Sequence, residues 1–142
     1  MKHISSILAF FALAAPVLAQ GSDSCATPQA ISGGGPFAFN NVSATTGTQG
    51  QPVCGIPWYT WTAPTTDTYL VSTCGGASID SLIGVYDGSA CPTAPALGCN
   101  DDSCGLQSTA AFSAVQGSAY VIQLGTYAGS PGGTGTLTIA VA

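Results

Sequence analysis

Between Gln20 and Ala142 the chain contains no Lys, Arg, His or Glu, and its charged side chains are six aspartates: Asp23, Asp67, Asp80, Asp87, Asp101 and Asp102. This constrains the fold before any periodicity is considered. A surface helix carries charged residues on its outer face and gains from oppositely charged pairs one turn apart, and no segment here offers either. Instead, short runs rich in Val, Ile, Thr, Tyr and Trp are separated by Gly, Pro, Asn and Ser, the pattern of an all-β protein. Strands are predicted at Gln29–Ile31, Phe37–Asn41, Trp58–Thr62, Thr68–Thr73, Leu82–Tyr86, Leu97–Asn100, Ala110–Ala114, Tyr120–Gly125 and Thr136–Val141. Gly33-Gly34-Gly35-Pro36, Asp87-Gly88, Gln116-Gly117 and the stretch 129–135 mark turns between them.

Alternation along these runs sets the layers. Tyr120, Ile122 and Leu124 share one face, as do Tyr59 and Trp61, and Leu137, Ile139 and Val141. Trp58 and Thr60 then fall on the other face. Repeated over eight or nine strands, this predicts an antiparallel β-sandwich of jelly-roll type. With 46% hydrophobic residues the chain can bury a core, and residues 20–142 suit a single domain without internal repeat or linker.

The first nineteen residues read differently. Lys2, the apolar run from Ile7 to Ala15, the break at Pro16 and the small residue Ala19 have the form of a secretory signal peptide, residues 1–19, cut after Ala19. The run is shorter than the roughly 20 apolar residues that a bilayer span needs. The expected destination is extracellular, or the cell surface. All six cysteines (Cys25, Cys54, Cys74, Cys91, Cys99 and Cys104) follow the leader. An even count in an exported chain predicts a disulfide framework, with its connectivity open. Zinc is disfavoured, because there is no His after the leader and no CxxC-type pair, the closest spacings being Cys91 to Cys99 and Cys99 to Cys104.

The same composition excludes several functions. Nothing after the leader can serve as a His or Lys base or as an Arg phosphate clamp. Without a basic residue, the domain cannot neutralise nucleic-acid phosphates or anionic lipid. Asp87-Gly88-Ser89 has the residues of the aspartic-protease motif in the wrong order, and a glycosidase pair needs a cleft that so small a sandwich scarcely provides. The prediction is a protein that is not an enzyme.

Two groups of residues remain as candidate sites. Asp80, Asp87, Asn100, Asp101 and Asp102 fall at strand ends or turns, and hard oxygen ligands from several loops suit Ca²⁺. The competing reading is that they cap turns through local hydrogen bonds; there is no EF-hand spacing. Tyr59, Trp61, Tyr69 and Tyr120 read as core. Trp58, Tyr86 and Tyr127 are the candidates for an exposed aromatic platform that stacks on sugar rings, against the alternative that a loop covers them. Asn41-Val42-Ser43 is an N-glycosylation sequon.

The central stretch also resembles a family. Trp58-Tyr59-Thr60-Trp61-Thr62-Ala63-Pro64, Asp67-Thr68-Tyr69-Leu70-Val71-Ser72-Thr73-Cys74, Asp80-Ser81-Leu82-Ile83-Gly84-Val85-Tyr86-Asp87-Gly88, Cys99-Asn100-Asp101-Asp102 and Tyr120-Val121-Ile122-Gln123-Leu124-Gly125 are similar, as an ordered series, to the pre-peptidase C-terminal (PPC) domain of secreted bacterial proteins. The resemblance spans roughly Trp58 to Val141. It implies a jelly-roll sandwich that accompanies a catalytic domain without being catalytic, with relatives that bind collagen, polysaccharide or calcium. Here the domain reads as standing alone behind its leader, so the accessory role does not transfer directly. The resemblance further suggests the pairs Cys91–Cys99 across a Pro-rich turn, Cys74–Cys104 between the Asp80 and Asp101-Asp102 turns, and Cys25–Cys54. The expected function is a non-catalytic module for extracellular polysaccharide or a cell-surface protein. The alternative is a structural or surface-layer protein with no small ligand.

Overall fold

In the computed structural model, residues 21–42, 44, 57–127 and 130–142 are described. The leader, Cys54 and Ser43 of the sequon lie outside them. Each run of β-branched and aromatic residues forms a strand: β1 Gln29–Ile31, β2 Phe37–Asn40, β3 Trp58–Thr62, β4 Asp67–Ser72, β5 Ser81–Asp87, β6 Gly98–Asn100, β7 Thr109–Ala114, β8 Ala119–Thr126 and β9 Thr134–Val141. No helix occurs among the described residues.

The strands form two sheets, ordered β1-β3-β8-β5-β6 and β2-β9-β4-β7. Counted from β2 as the first strand, the orders are 1-8-3-6 and 2-7-4-5, the winding of an eight-stranded jelly roll, with β1 as an addition. β1 departs from the antiparallel expectation: it lies parallel to β3, with Gln29 opposite Tyr59. A parallel pair needs a crossover between its strands, and here the chain passes through β2 in the opposite sheet before β3.

The core fills the space between the sheets. Tyr59, Trp61, Tyr69 and Tyr120 are buried there, with Phe39, Val71, Ile83, Ile122, Leu124 and Leu137. Trp61 stands edge-on to Tyr69 at 4.9 Å, and Phe112 edge-on to Tyr120 at 5.1 Å, the geometry that ring quadrupoles favour. The polar tips are satisfied at the core margin. Trp61 Nε1 donates to the Gly33 carbonyl at 3.0 Å, and the Tyr120 hydroxyl accepts from the Val115 amide at 2.8 Å. Gly98 closes one corner, because a Cβ there would run into the Ala111 carbonyl, so β6 passes tightly over β7.

The outer face of the five-stranded sheet corrects two expectations. Simple alternation leaves it to solvent, yet Trp58, Tyr86 and Gln123 are each 1% exposed and Val121 is fully buried. Trp58, Tyr86, Val121 and Cys25 form a second apolar cluster, against which Ala44, Cys91 and Ala96 pack. The Tyr86 hydroxyl donates to Gln123 Oε1 at 3.0 Å beneath this cover. A disulfide between Cys25 and Cys91, with Cα atoms 4.6 Å apart, holds the N-terminal segment to the loop after β5. That bond replaces the expected pairs Cys91–Cys99 and Cys25–Cys54. The loop carrying Cys91 folds back over Trp58 and Tyr86 and does not bridge its own turn. Cys74–Cys104 forms as the resemblance suggested. Cys99 is exposed on β6 and bonds to no described cysteine. Two disulfides fit an oxidising, extracellular environment. No helix among the described residues is long and apolar enough to cross a membrane.

Candidate functional site

The chemistry-bearing end of the sandwich lies where β5 begins and β6 ends. The antiparallel register pairs Ile83 with Asn100, so residues just before β5 and just after β6 approach one another. Below them runs a buried hydroxyl network. Thr73 Oγ1 and Ser81 Oγ lie 2.7 Å apart, and both accept from the Ser108 amide, at 3.1 and 3.2 Å. The Ser108 hydroxyl donates to the Ser81 and Asp101 carbonyls. Above it, the Cys74–Cys104 bond, the Ser81 amide on the Leu106 carbonyl (2.8 Å) and Gln107 Nε2 on the Ile79 carbonyl (3.2 Å) clamp the two turns together. Thr73, Ser81 and Ser108 were not singled out in the sequence, because small hydroxyls in a Ser/Thr-rich chain carry no mark of burial.

These clamps gather three of the five expected oxygen donors. One carboxylate oxygen from each of Asp80, Asp101 and Asp102 lies within 4.8 Å of the others. Asp80 and Asp101 are half-buried and Asp102 is exposed. Asp80 Oδ2 accepts from Ser130 Oγ at 3.3 Å. Asp101 Oδ1 is buried and has no hydrogen-bond partner among the described residues. Desolvation, then the charges of Asp102 and Asp80, push the Asp101 carboxyl above its ordinary value. Loss of solvent and two like charges favour the protonated form.

The other two donors stand elsewhere. Asp87 is the last residue of β5, about 20 Å from its first at the usual rise per residue, and is excluded from the group. Asn100 lies beside it, but its Oδ1 accepts from Ser103 Oγ at 2.6 Å and from the Thr109 amide at 3.1 Å. Asn100 therefore clamps a turn, as the capping alternative held.

The aromatic platform is not assembled. Trp58 and Tyr86 lie under the Cys25–Cys91 cover, and of the three candidates Tyr127 alone is open, at 52% exposure. Tyr127 nevertheless belongs to the acidic end, since its amide donates to the Asp80 carbonyl at 3.1 Å. A cleft of about 390 Å³ adjoins Asp80, walled by Ile79, Leu106 and Pro131 with Ser78 and Ser130 as polar groups. The sequon asparagine is otherwise engaged: Asn41 is buried and its Oδ1 accepts from the Gly133 amide at 2.7 Å.

No protein-family model matches the chain, and neither a curated protein nor a solved structure does.

Proposed function

We propose that this chain is a secreted, non-catalytic β-sandwich module that binds an extracellular glycan or cell-surface material at its acidic end, with Ca²⁺ held by Asp80, Asp101 and Asp102. The observation that carries the reading is that Asp80 belongs both to a group of three carboxylates and to the wall of a cleft of about 390 Å³, with the backbone of the exposed Tyr127 bonded to it. Polar groups beside an apolar wall fix the orientation of a small ligand, and a bound cation gives sugar hydroxyls a hard partner. The resemblance to PPC domains, some of whose relatives bind polysaccharide or calcium, supports a binding role of this kind. The burial of Trp58 and Tyr86 favours a second reading, a structural building block with no small ligand, because it removes the wide platform that would have stacked several rings. A glycan array probed with Ca²⁺ and again with EDTA separates the two. The first reading expects calcium-dependent binding that Tyr127→Ala and Asp101→Asn each weaken at least tenfold. A blank array under both conditions sinks it.

A further inference from the structure

The cleft beside Asp80 has two walls, and the fold fixes both. On one side Gln107 Nε2 donates to the Ile79 carbonyl at 3.2 Å and the Ser81 amide to the Leu106 carbonyl at 2.8 Å. On the other the Asn41 amide donates to the Gly133 carbonyl at 3.0 Å, and the Gly133 amide to Asn41 Oδ1 at 2.7 Å. A Cβ on Gly133 would strike Ile79, so glycine lets the walls approach. A cleft held in this way needs little ordering when a ligand enters. Its volume, about 390 Å³, lies near the low end of the roughly 300–1,000 Å³ of small-molecule sites, room for one sugar ring and its substituent. The lining is mixed. Leu106, 54% exposed, and Pro131 form an apolar wall with Ile79, while Ser78, Ser130 and Asp80 bring polar groups. Charge narrows the choice further. Residues 20–142 hold no cationic side chain, and three carboxylates around one divalent cation still leave this end negative. A sugar carboxylate or sulfate would face Asp80 without a partner, and like charges brought together oppose binding.

We propose that the cleft takes the acetamido group of a neutral N-acetylhexosamine and so decides which glycan the acidic end accepts. The inference rests on the reading of that end as a glycan site. Asp80 is common to the carboxylate group and the cleft, so a sugar on the carboxylates borders the cleft. An acetamido group suits the mixed lining. Its methyl packs on Leu106, Ile79 and Pro131, and its carbonyl accepts from the Ser78 hydroxyl. Its N–H donates to Ser130 Oγ, whose own proton goes to Asp80 Oδ2 at 3.3 Å. A plain hydroxyl leaves the apolar wall wet, and a bare methyl leaves the serines without a partner.

The test is calorimetric titration of the whole chain, in Ca²⁺, with three oligosaccharides. Chitotriose and cellotriose differ only in carrying acetamido or hydroxyl at C2, and a sialylated trisaccharide joins an acetamido group to a carboxylate. Chitotriose should bind about tenfold tighter than cellotriose or better, the scale of one methyl group in an apolar pocket, and the sialylated sugar should not bind. Leu106→Ser should abolish the preference while leaving the Ca²⁺-induced rise in melting temperature unchanged, which also reports that the variant folds. If it does not fold, Ser78→Ala, a change at an exposed residue, should weaken chitotriose and spare cellotriose. Equal affinity for the two neutral sugars, tighter binding of the sialylated one, or a preference that survives in the folded variant overturns this inference and leaves the acidic end as a glycan site. A glycan array blank with and without Ca²⁺ overturns that underlying reading and the inference with it.

Discussion

Asp101 is the residue at which the acidic end opposes folding. Its carboxyl is held above the ordinary value by desolvation and by two neighbouring carboxylates, so the folded state keeps a proton that the unfolded chain has released. Where the native state binds more protons, stability falls as pH rises. The loss begins near the ordinary value of 3.8 and is complete above the raised folded value. Melting temperature should therefore decline across that window on going from acid toward neutral pH in EDTA. Asp101→Asn removes the titrating group, so its melting curve should lack that decline while the flanking pH dependence stays. A wild-type curve that rises through the window, as for a carboxylate stabilised by a partner, would contradict the assignment. Ca²⁺ competes with the proton for the same oxygens, and saturating metal should flatten the decline.

Among the elements, the nine strands were legible because a strand's signal is local: Trp58-Tyr59-Thr60-Trp61-Thr62 and Tyr120 to Gly125 announce themselves by composition and a period of two. The approach of Asp80 to Asp101 and Asp102 was legible through the Cys74–Cys104 pair. The cover on the outer face was not. Alternation says which side chains share a face, and it is silent on whether a distant loop returns over that face, so for Trp58 and Tyr86 an open platform and a covering loop both stayed in play. The resemblance suggested Cys91–Cys99 across one short turn, whereas the bond that forms spans 66 residues. Asp87 was grouped with the acidic turns because sequence proximity hides the length of β5. Opening the long covering bond should be costly: by the chain-entropy account Cys91→Ser loses about 2–4 kcal/mol. Thermal unfolding measures it, and a loss below that of Cys74→Ser, which opens a loop of 30 residues, would contradict the entropic ordering.

For the molecule as a whole, the six aspartates of residues 20–142 meet no side-chain cation within that stretch, so their charge is relieved by protons or by ions from solution. A ligand that binds only the native state stabilises it by about 2.7 kcal/mol at a hundredfold excess over Kd, which for a domain of this size is a rise of several degrees in melting temperature. Millimolar Ca²⁺ should produce that rise and Mg²⁺ should not, since Mg²⁺ demands a stricter octahedron. Asp101→Asn should reduce it. Identical melting curves in EDTA and in excess Ca²⁺ would leave the three carboxylates as turn residues that hold no metal.

The cover held by Cys25–Cys91 has an optical consequence. The two tryptophans sit in different compartments: Trp61 between the sheets, Trp58 under the strap. Mild reduction that frees the strap while the sandwich stays folded should wet one indole and spare the other. Emission should then move part of the way to the red, with a quencher-accessible fraction near one half. The shift should persist in a Cys74→Ser, Cys104→Ser background and vanish in Trp58→Phe. Trp58 is thus a built-in gauge of whether the chain has closed its Cys25–Cys91 bond.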